Sequence, residues 1–92
     1  MITDPGMTIF IPVYNEEGLL VKNTLQLLAF MEGLKRPYEV IIGSNGSTDG
    51  TVNLAGELSE AHDTVRFFHF NTRGVGRAFR EGIRMAAHDR II

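Results

Sequence analysis

Three short stretches of this 92-residue chain hold the side chains that could do chemistry. PVYNEE spans residues 12–17. Pro12 stops an apolar run there, and Tyr14 offers a flat ring for a planar base to lie against. Glu16 or Glu17 offers a carboxylate to ribose-type hydroxyls. GSNGSTDGT spans residues 43–51. Gly43, Gly46 and Gly50 permit positive φ or close backbone approach, while Asn45, Ser47, Thr48 and Asp49 supply partners for a polar ligand. RGVGRAFREGIR, residues 73–84, sets Arg73, Arg77, Arg80 and Arg84 at intervals of four, three and four. Gly74 and Gly76 fall where a helix would begin, and free backbone N–H groups at a helix start favour an anion such as a diphosphate.

Each stretch also has a purely structural reading. The glycine-rich segment can be a turn with Ser47 or Asp49 capping the helix that follows. Glu17 suits the positive end of a first helix, whereas Glu16 leans toward a ligand. Arg84 belongs to a solvated basic face with Glu81, and Arg73 and Arg80 are the better candidates for ligand contact. His62, His69 and His88 show no metal-ligand spacing and are assigned to packing or surface.

The elements that must position these residues alternate. MTIFIPV (7–13) is a nearly continuous apolar run, the pattern of a strand buried on both faces. Residues 16–34 place Leu20, Val21, Leu25, Leu27, Leu28, Met31 and Leu34 at helical spacing, with Asn15 at the N-cap position. Pro37 interrupts that pattern. YEVII (38–42) reads as a second strand, 50–61 as a weaker helix, and TVRFFHF (64–70) as a third strand. Residues 74–88 read as the clearest helix, with Val75, Ala78, Phe79, Gly82, Ile83 and Ala86 on one face. RII (90–92) looks like the opening of a fourth strand. This β-α-β-α-β-α-(β) order, with short connections, predicts an α/β fold: a right-handed, three-layer α/β/α, Rossmann-like parallel sheet. Ligands bind such sheets beyond the carboxyl ends of the strands, and all three polar stretches fall there.

Size and composition narrow the possibilities. The length fits one domain over 1–92. Hydrophobic residues make up 43% and charged residues 22%, with a net charge of −2, so neither disorder nor a general attraction to nucleic acid is expected. There are no cysteines, which excludes disulfides and thiolate chemistry and suits a reducing, cytoplasmic setting. No apolar stretch reaches the roughly 20 residues of a membrane helix. The glycine-rich segment lacks the Gly-Lys-Ser/Thr ending of a Walker A loop. PVYNEE lacks the glycines of a nicotinamide-type dinucleotide fold, and Pro12–Tyr14 stand at the end of the first strand, where a receiver domain would want acidic residues.

IPVYNEE, NGSTDGT and RGVGRAFREGI, in this order and spacing, resemble the N-terminal part of the family 2 inverting glycosyltransferases of the GT-A fold. Dolichyl-phosphate mannose synthases and polysaccharide synthases are nearest in character. The resemblance spans residues 7–92. It implies transfer of a sugar from a nucleotide-diphosphate sugar to an acceptor. It also implies that Pro12, Tyr14 and Glu16 line the base and ribose pocket, that Ser44 and Asn45 approach the base edge, and that Gly74 with Arg73 or Arg80 lies near the diphosphate.

Two residues depart from that family pattern. Ser44 and Asn45 stand where an acidic pair usually precedes Gly-Ser, so any acceptor offered to a base N–H is the Asn45 amide oxygen. Val75 stands where a Lys is common. The family's Asp-x-Asp motif, which holds Mg²⁺ or Mn²⁺ on the diphosphate, would follow the fourth strand, and Ile92 is reached before it. The expectation is a nucleotide-binding half, truncated and inactive alone, with no catalytic or metal-ligating residue assigned. A non-catalytic assembly module that keeps the fold is the alternative. In this fold the first strand lies between the second and fourth, so residues 8–13 would present an apolar edge able to pair copies into a homo-oligomer.

Overall fold

The computed structural model describes residues 6–88, 91 and 92. Three strands, β1 (Met7–Val13), β2 (Tyr38–Asn45) and β3 (Val65–Phe70), alternate with helices α1 (Leu20–Leu34), α2 (Thr51–Ala61) and α3 (Val75–Met85). The strands are parallel in the order β1-β2-β3. Val40, Ile41 and Ile42 of the middle strand have no exposed surface. Each apolar side chain buried in this way contributes roughly 1.5–3 kcal/mol.

Alternation along the strands separates the two faces of the sheet. On one face Val13, Val40, Ile42 and Val65 pack with Leu20 and Leu28 of α1 and Ala55 and Leu58 of α2. On the other, Phe10 meets Phe68 in a stacked pair with centroids 6.0 Å apart, and meets Phe79 of α3 edge-on at 5.5 Å. Gly43 lies between those rings. A Cβ there would come within 2.6 Å of Phe68 and 2.7 Å of Phe10, so the strand needs a glycine for the aromatic pair to close over it.

Several boundaries differ from the sequence reading. β2 runs on through Gly43, Ser44 and Asn45, because these residues pair with Phe68, His69 and Phe70. The first three residues of the supposed loop are therefore buried sheet. α1 begins at Leu20 and has no side-chain cap. Asn15 is not its N-cap: it adopts φ 49°, a left-handed conformation that Asn tolerates well. α3 ends at Met85. Phe79 and Ile83, placed by periodicity on a buried face, are 48% and 61% exposed, because the surface they cover lies beyond the edge of the sheet.

That edge is the outer side of β1. Ile91 bridges Thr8 in parallel; the Ile92 N–H donates to the Thr8 carbonyl and the Ile92 carbonyl accepts from Phe10 N–H, both at 2.8 Å. The opening of a fourth strand beside β1 is thus present at residues 91 and 92, while Arg90 lies outside the described residues. Even-numbered residues of β1 point their backbone groups to this side. Pro12 is the next of them, and it has no N–H to give.

The opposite end of the sheet is held by charge. Glu39 is buried. It accepts from the Thr8 hydroxyl at 2.7 Å and from Arg66 Nη2 at 2.6 Å and Nε at 3.1 Å, and Ala87 N–H also donates to it. Arg66 reaches the Met85 carbonyl as well, tying β2, β3 and the end of α3 together. Burial pushes the Glu39 carboxyl up, but the hydrogen bonds from Ala87, Thr8 and Arg66 and the Arg66 charge outweigh it, and its pKa falls below the ordinary value.

Glu39→Gln is expected to cost about 1–3 kcal/mol at neutral pH, less than a fully buried pair because Arg66 is 43% exposed. A carboxyl with a depressed folded pKa stabilises above its unfolded value and loses that effect as pH falls through its folded value. Urea unfolding of both proteins from pH 7 to pH 3 should therefore show the gap closing in the acid range.

Candidate functional site

The three polar stretches meet at the carboxyl ends of the strands, and side chains knit them together. Asn15 is the central tie. Its Oδ1 accepts from Thr48 N–H at 2.8 Å and Asp49 N–H at 3.3 Å, while its own N–H donates to Ser47 Oγ at 3.2 Å. Glu16 N–H donates to Thr51 Oγ1 at 2.8 Å, and that hydroxyl donates on to Asp49 Oδ1 at 2.5 Å. The Thr51 hydroxyl, first among its partners, holds the Asp49 carboxyl below its ordinary pKa. Glu17 accepts from Gly50 N–H at 2.9 Å. It therefore complements the start of α2, across the loop, rather than the start of its own helix.

The second and third stretches are joined through Asn45 and Gly46. Asn45 Oδ1 accepts from Gly74 N–H at 2.8 Å, and Gly46 N–H donates to the Phe70 carbonyl at 2.8 Å. A backbone N–H can be met only by the amide oxygen, so the Asn45 NH₂ is left as the group offered outward. Asn45 thus has its NH₂ unspent, while one of the two lone pairs of its oxygen is engaged in holding α3. Gly46 sits at φ 80°, and a Cβ on it would fall 2.7 Å from Arg73 Cγ and 2.8 Å from Arg73 N. Only glycine fits there.

Pro12, Val13, Tyr14, Asn45, Arg73, Ala78 and Phe79 line one open cleft of about 200 Å³ on the α3 side of the sheet. Arg73 lies over the Tyr14 ring, its Cζ 4.1 Å from the centroid. Four of the expected site residues, Pro12, Tyr14, Asn45 and Arg73, are thus brought together, and Gly74 is bonded to one of them. Glu16 is not in this group. It lines a second cleft of about 210 Å³ on the α1 side, with Ile11, Leu20, Asn23 and Thr24, sharing only Pro12 and Val13 with the first.

Ser44 lines neither cleft. It is fully buried, with its hydroxyl 2.9 Å from His69 Nδ1, because the longer β2 turns it toward α1 and α2. Arg80 is exposed and lines neither cleft. The sequence reading missed Asn15 as the tie between loops; its one signal was an Asn directly after a strand-ending Pro-Val-Tyr. It also missed Arg77, which lies over Phe70 at 4.1 Å and donates to Thr72 Oγ1 at 3.0 Å, closing the third loop on itself.

Metal ligation finds no support among the described residues, where no group of three His, Asp or Glu side chains could hold an ion. The nearest carboxylates are committed, Asp49 to Thr51 and Glu17 to Gly50.

A parallel α/β sheet with a largely apolar cleft beyond its strand ends, holding one backbone-bonded amide, an aromatic ring and a cation, has its cleft where such sheets bind ligands. Comparison with known proteins makes this specific. The family model described as glycosyl transferase family 2 matches residues 8–92. The chain belongs to that family.

Among its relatives is the dolichyl-phosphate beta-glucosyltransferase of Drosophila melanogaster, 36% identical over 85 residues, covering 84% of this chain and 26% of that one. The poly-beta-1,6-N-acetyl-D-glucosamine synthase of Staphylococcus aureus is 29% identical over 87 residues, covering 95% of this chain and 20% of that one. The solved mannosyltransferase PcManGT of Pyrobaculum calidifontis, in complex with GDP-Man and Mn²⁺, superposes with a TM-score of 0.74 at 24% identity, over 99% of this chain and 28% of that one. That match shows the GT-A fold. The chain spans about a quarter of the length of the proteins it matches.

Gly46→Ala is expected to destabilise by about 1–3 kcal/mol, since a side chain there is strained in its backbone and meets the Arg73 main chain. Gly33→Ala, in α1 with nothing within 4 Å of the added Cβ, should instead be neutral or stabilising by up to about 1 kcal/mol. Urea unfolding of the pair checks the contrast.

Proposed function

We propose that this chain is the nucleotide-binding part of a glycosyltransferase that moves a sugar from a nucleotide-diphosphate sugar to an acceptor. The observation that carries the reading is the convergence of Pro12, Tyr14, Asn45 and Arg73 on one cleft at the ligand-binding edge of the sheet, in a chain of this family. Tyr14 provides a stacking face, Asn45 a donor for a ring carbonyl, and Arg73 a cation for the diphosphate. Glu16 serves the ribose only from the far side of Pro12.

Inverting transfer also needs a base to deprotonate the acceptor and a cation to stabilise the leaving diphosphate. Among the described residues the carboxylates beside the cleft are held by the loops, and none is placed to do either task. The family's Mg²⁺ or Mn²⁺ is therefore assigned to residues other than these, and transfer of labelled sugar by the 92-residue chain alone is expected to be undetectable.

Calorimetric titration with UDP and GDP, with and without Mn²⁺, tests the nucleotide site. Weak binding of one of them, unchanged by metal and reduced about tenfold or more by Asn45→Ala, is the expected result. Absence of binding to either would favour the assembly-module reading. One observation favours that second reading: one lone pair of the Asn45 amide oxygen is engaged in holding α3 rather than free for a ligand.

A cytoplasmic setting is part of the proposal, supported by the lack of cysteines; no described helix is long and apolar enough to cross a membrane. We infer as well that a second copy pairs across the β1 edge. There Phe10, Phe79, Ile83, Ile91 and Ile92 line an apolar groove of about 350 Å³ that supports contact through side chains, since the backbone groups of Thr8 and Phe10 are already taken by Ile92. Sedimentation velocity at high concentration should show a dimer, and Ile83→Glu should return it to monomer.

A further inference from the structure

Arg73 differs from Arg66, Arg77 and Arg84 in how it is held. Arg66 is paired with Glu39, Arg84 with Glu81, and Arg77 with Thr72. Arg73 has the Tyr14 ring and no hydrogen-bond or ion-pair partner among the described residues. Its guanidinium therefore keeps all five donors unspent at the wall of the cleft. Both side chains are exposed, both line that same cleft, and the guanidinium covers one face of the Tyr14 ring.

A cation stacked on that face and a base stacked on it exclude each other, because each needs the ring at about 4 Å. The main chain of Arg73 is meanwhile fixed, with Gly46 packed against its N and Cγ and the next residue, Gly74, bonded to Asn45. Only the side chain is free to move.

We propose that Arg73 is a two-position residue of the nucleotide site: it occupies the Tyr14 ring when the cleft is empty and yields that ring to the base, turning its donors to the diphosphate. The proposal rests on the nucleotide-site reading and adds a specificity rule to it. A ligand with a base but no phosphate must displace Arg73 and receives nothing in return. A ligand with both recovers the displaced cation as a contact. The cost of displacing Arg73 falls on both ligands alike, and only the diphosphate regains a contact from the displaced cation, so that contact sets the discrimination of nucleoside diphosphates from nucleosides while the stacked cation weakens both.

The test is a crossed titration. Uridine, UDP, guanosine and GDP are titrated calorimetrically into the wild-type chain and into Arg73→Ala and Arg73→Lys. For the base that the wild type prefers, Arg73→Ala should bind the nucleoside about 2- to 5-fold more tightly, the loss of one exposed cation–π contact. It should bind the diphosphate about tenfold or more weakly, the loss of a charge-assisted contact. Arg73→Lys, with a weaker stack and a retained charge, should gain for the nucleoside and lose less for the diphosphate.

A second readout needs no affinity. The Arg73 δ-methylene protons should resonate upfield in the empty protein under the Tyr14 ring current, and return downfield on adding the diphosphate or in Tyr14→Ala. If Arg73→Ala weakens nucleoside and diphosphate alike, or changes neither, the two-position role is overturned while the nucleotide site stands. If the wild type binds none of the four ligands, the nucleotide-site reading falls, and this proposal with it.

Discussion

One hydrogen bond, from Gly74 N–H to Asn45 Oδ1 at 2.8 Å, decides where the third loop lies. Asn45 is the last residue of the most buried strand, flanked by parallel partners on both sides. Its backbone is set by the sheet, and its short side chain cannot stray. By gripping the residue that begins α3, it transmits the rigidity of β2 to a loop with few other supports. Arg73, one residue earlier, inherits that placement. Tyr14 meets it from β1 because β1 and β2 share a register in which Val13 lies opposite Ser44. The cleft is thus a consequence of strand pairing carried one bond further by an amide.

The other two loops are held by the same kind of economy. Asn15, in a left-handed turn, spends its acceptor on the backbone of residues 48 and 49, and Glu17 spends its carboxylate on Gly50. Neither helix that follows has a side-chain cap from within its own N-terminal turn. Asp49 still meets the Thr51 N–H at the start of α2 locally, as its type suggested, while Asn15 and Glu17 are exchanged between loops thirty-odd residues apart.

How much of this was legible in the sequence follows from the range of each interaction. The element order, the parallel sheet and the converging loops came from periodicity and from Gly and Pro punctuation, which are local signals. Tyr14, Asn45 and Arg73 also stood out by type at strand ends, whereas a pocket place for Pro12 was implied only by the family resemblance. Ser44 could not be judged that way. Its burial depends on β2 continuing past Ile42, and a Gly-Ser-Asn segment carries no strand signal of its own; it is held in the sheet by Phe68–Phe70 alongside. The hold of Asn45 on Gly74, the crossed capping by Asn15 and Glu17, and the exposure of Phe79 and Ile83 all depend on contacts distant in sequence. The helical spacing of Phe79 and Ile83 correctly marked an apolar face, but spacing does not say whether anything lies opposite it.

Pro12 has a consequence beyond ending the first strand. A strand lying where Ile91 and Ile92 lie can take one more bond from β1, to the carbonyl of Phe10, and then faces a residue with no hydrogen to give. Its next carbonyl goes unpaired, although the Pro12 carbonyl can still accept. A chain following this edge is therefore held by one bond fewer just below Tyr14. The missing proton of one imino acid makes this stretch of the rim the loosest step of the ladder.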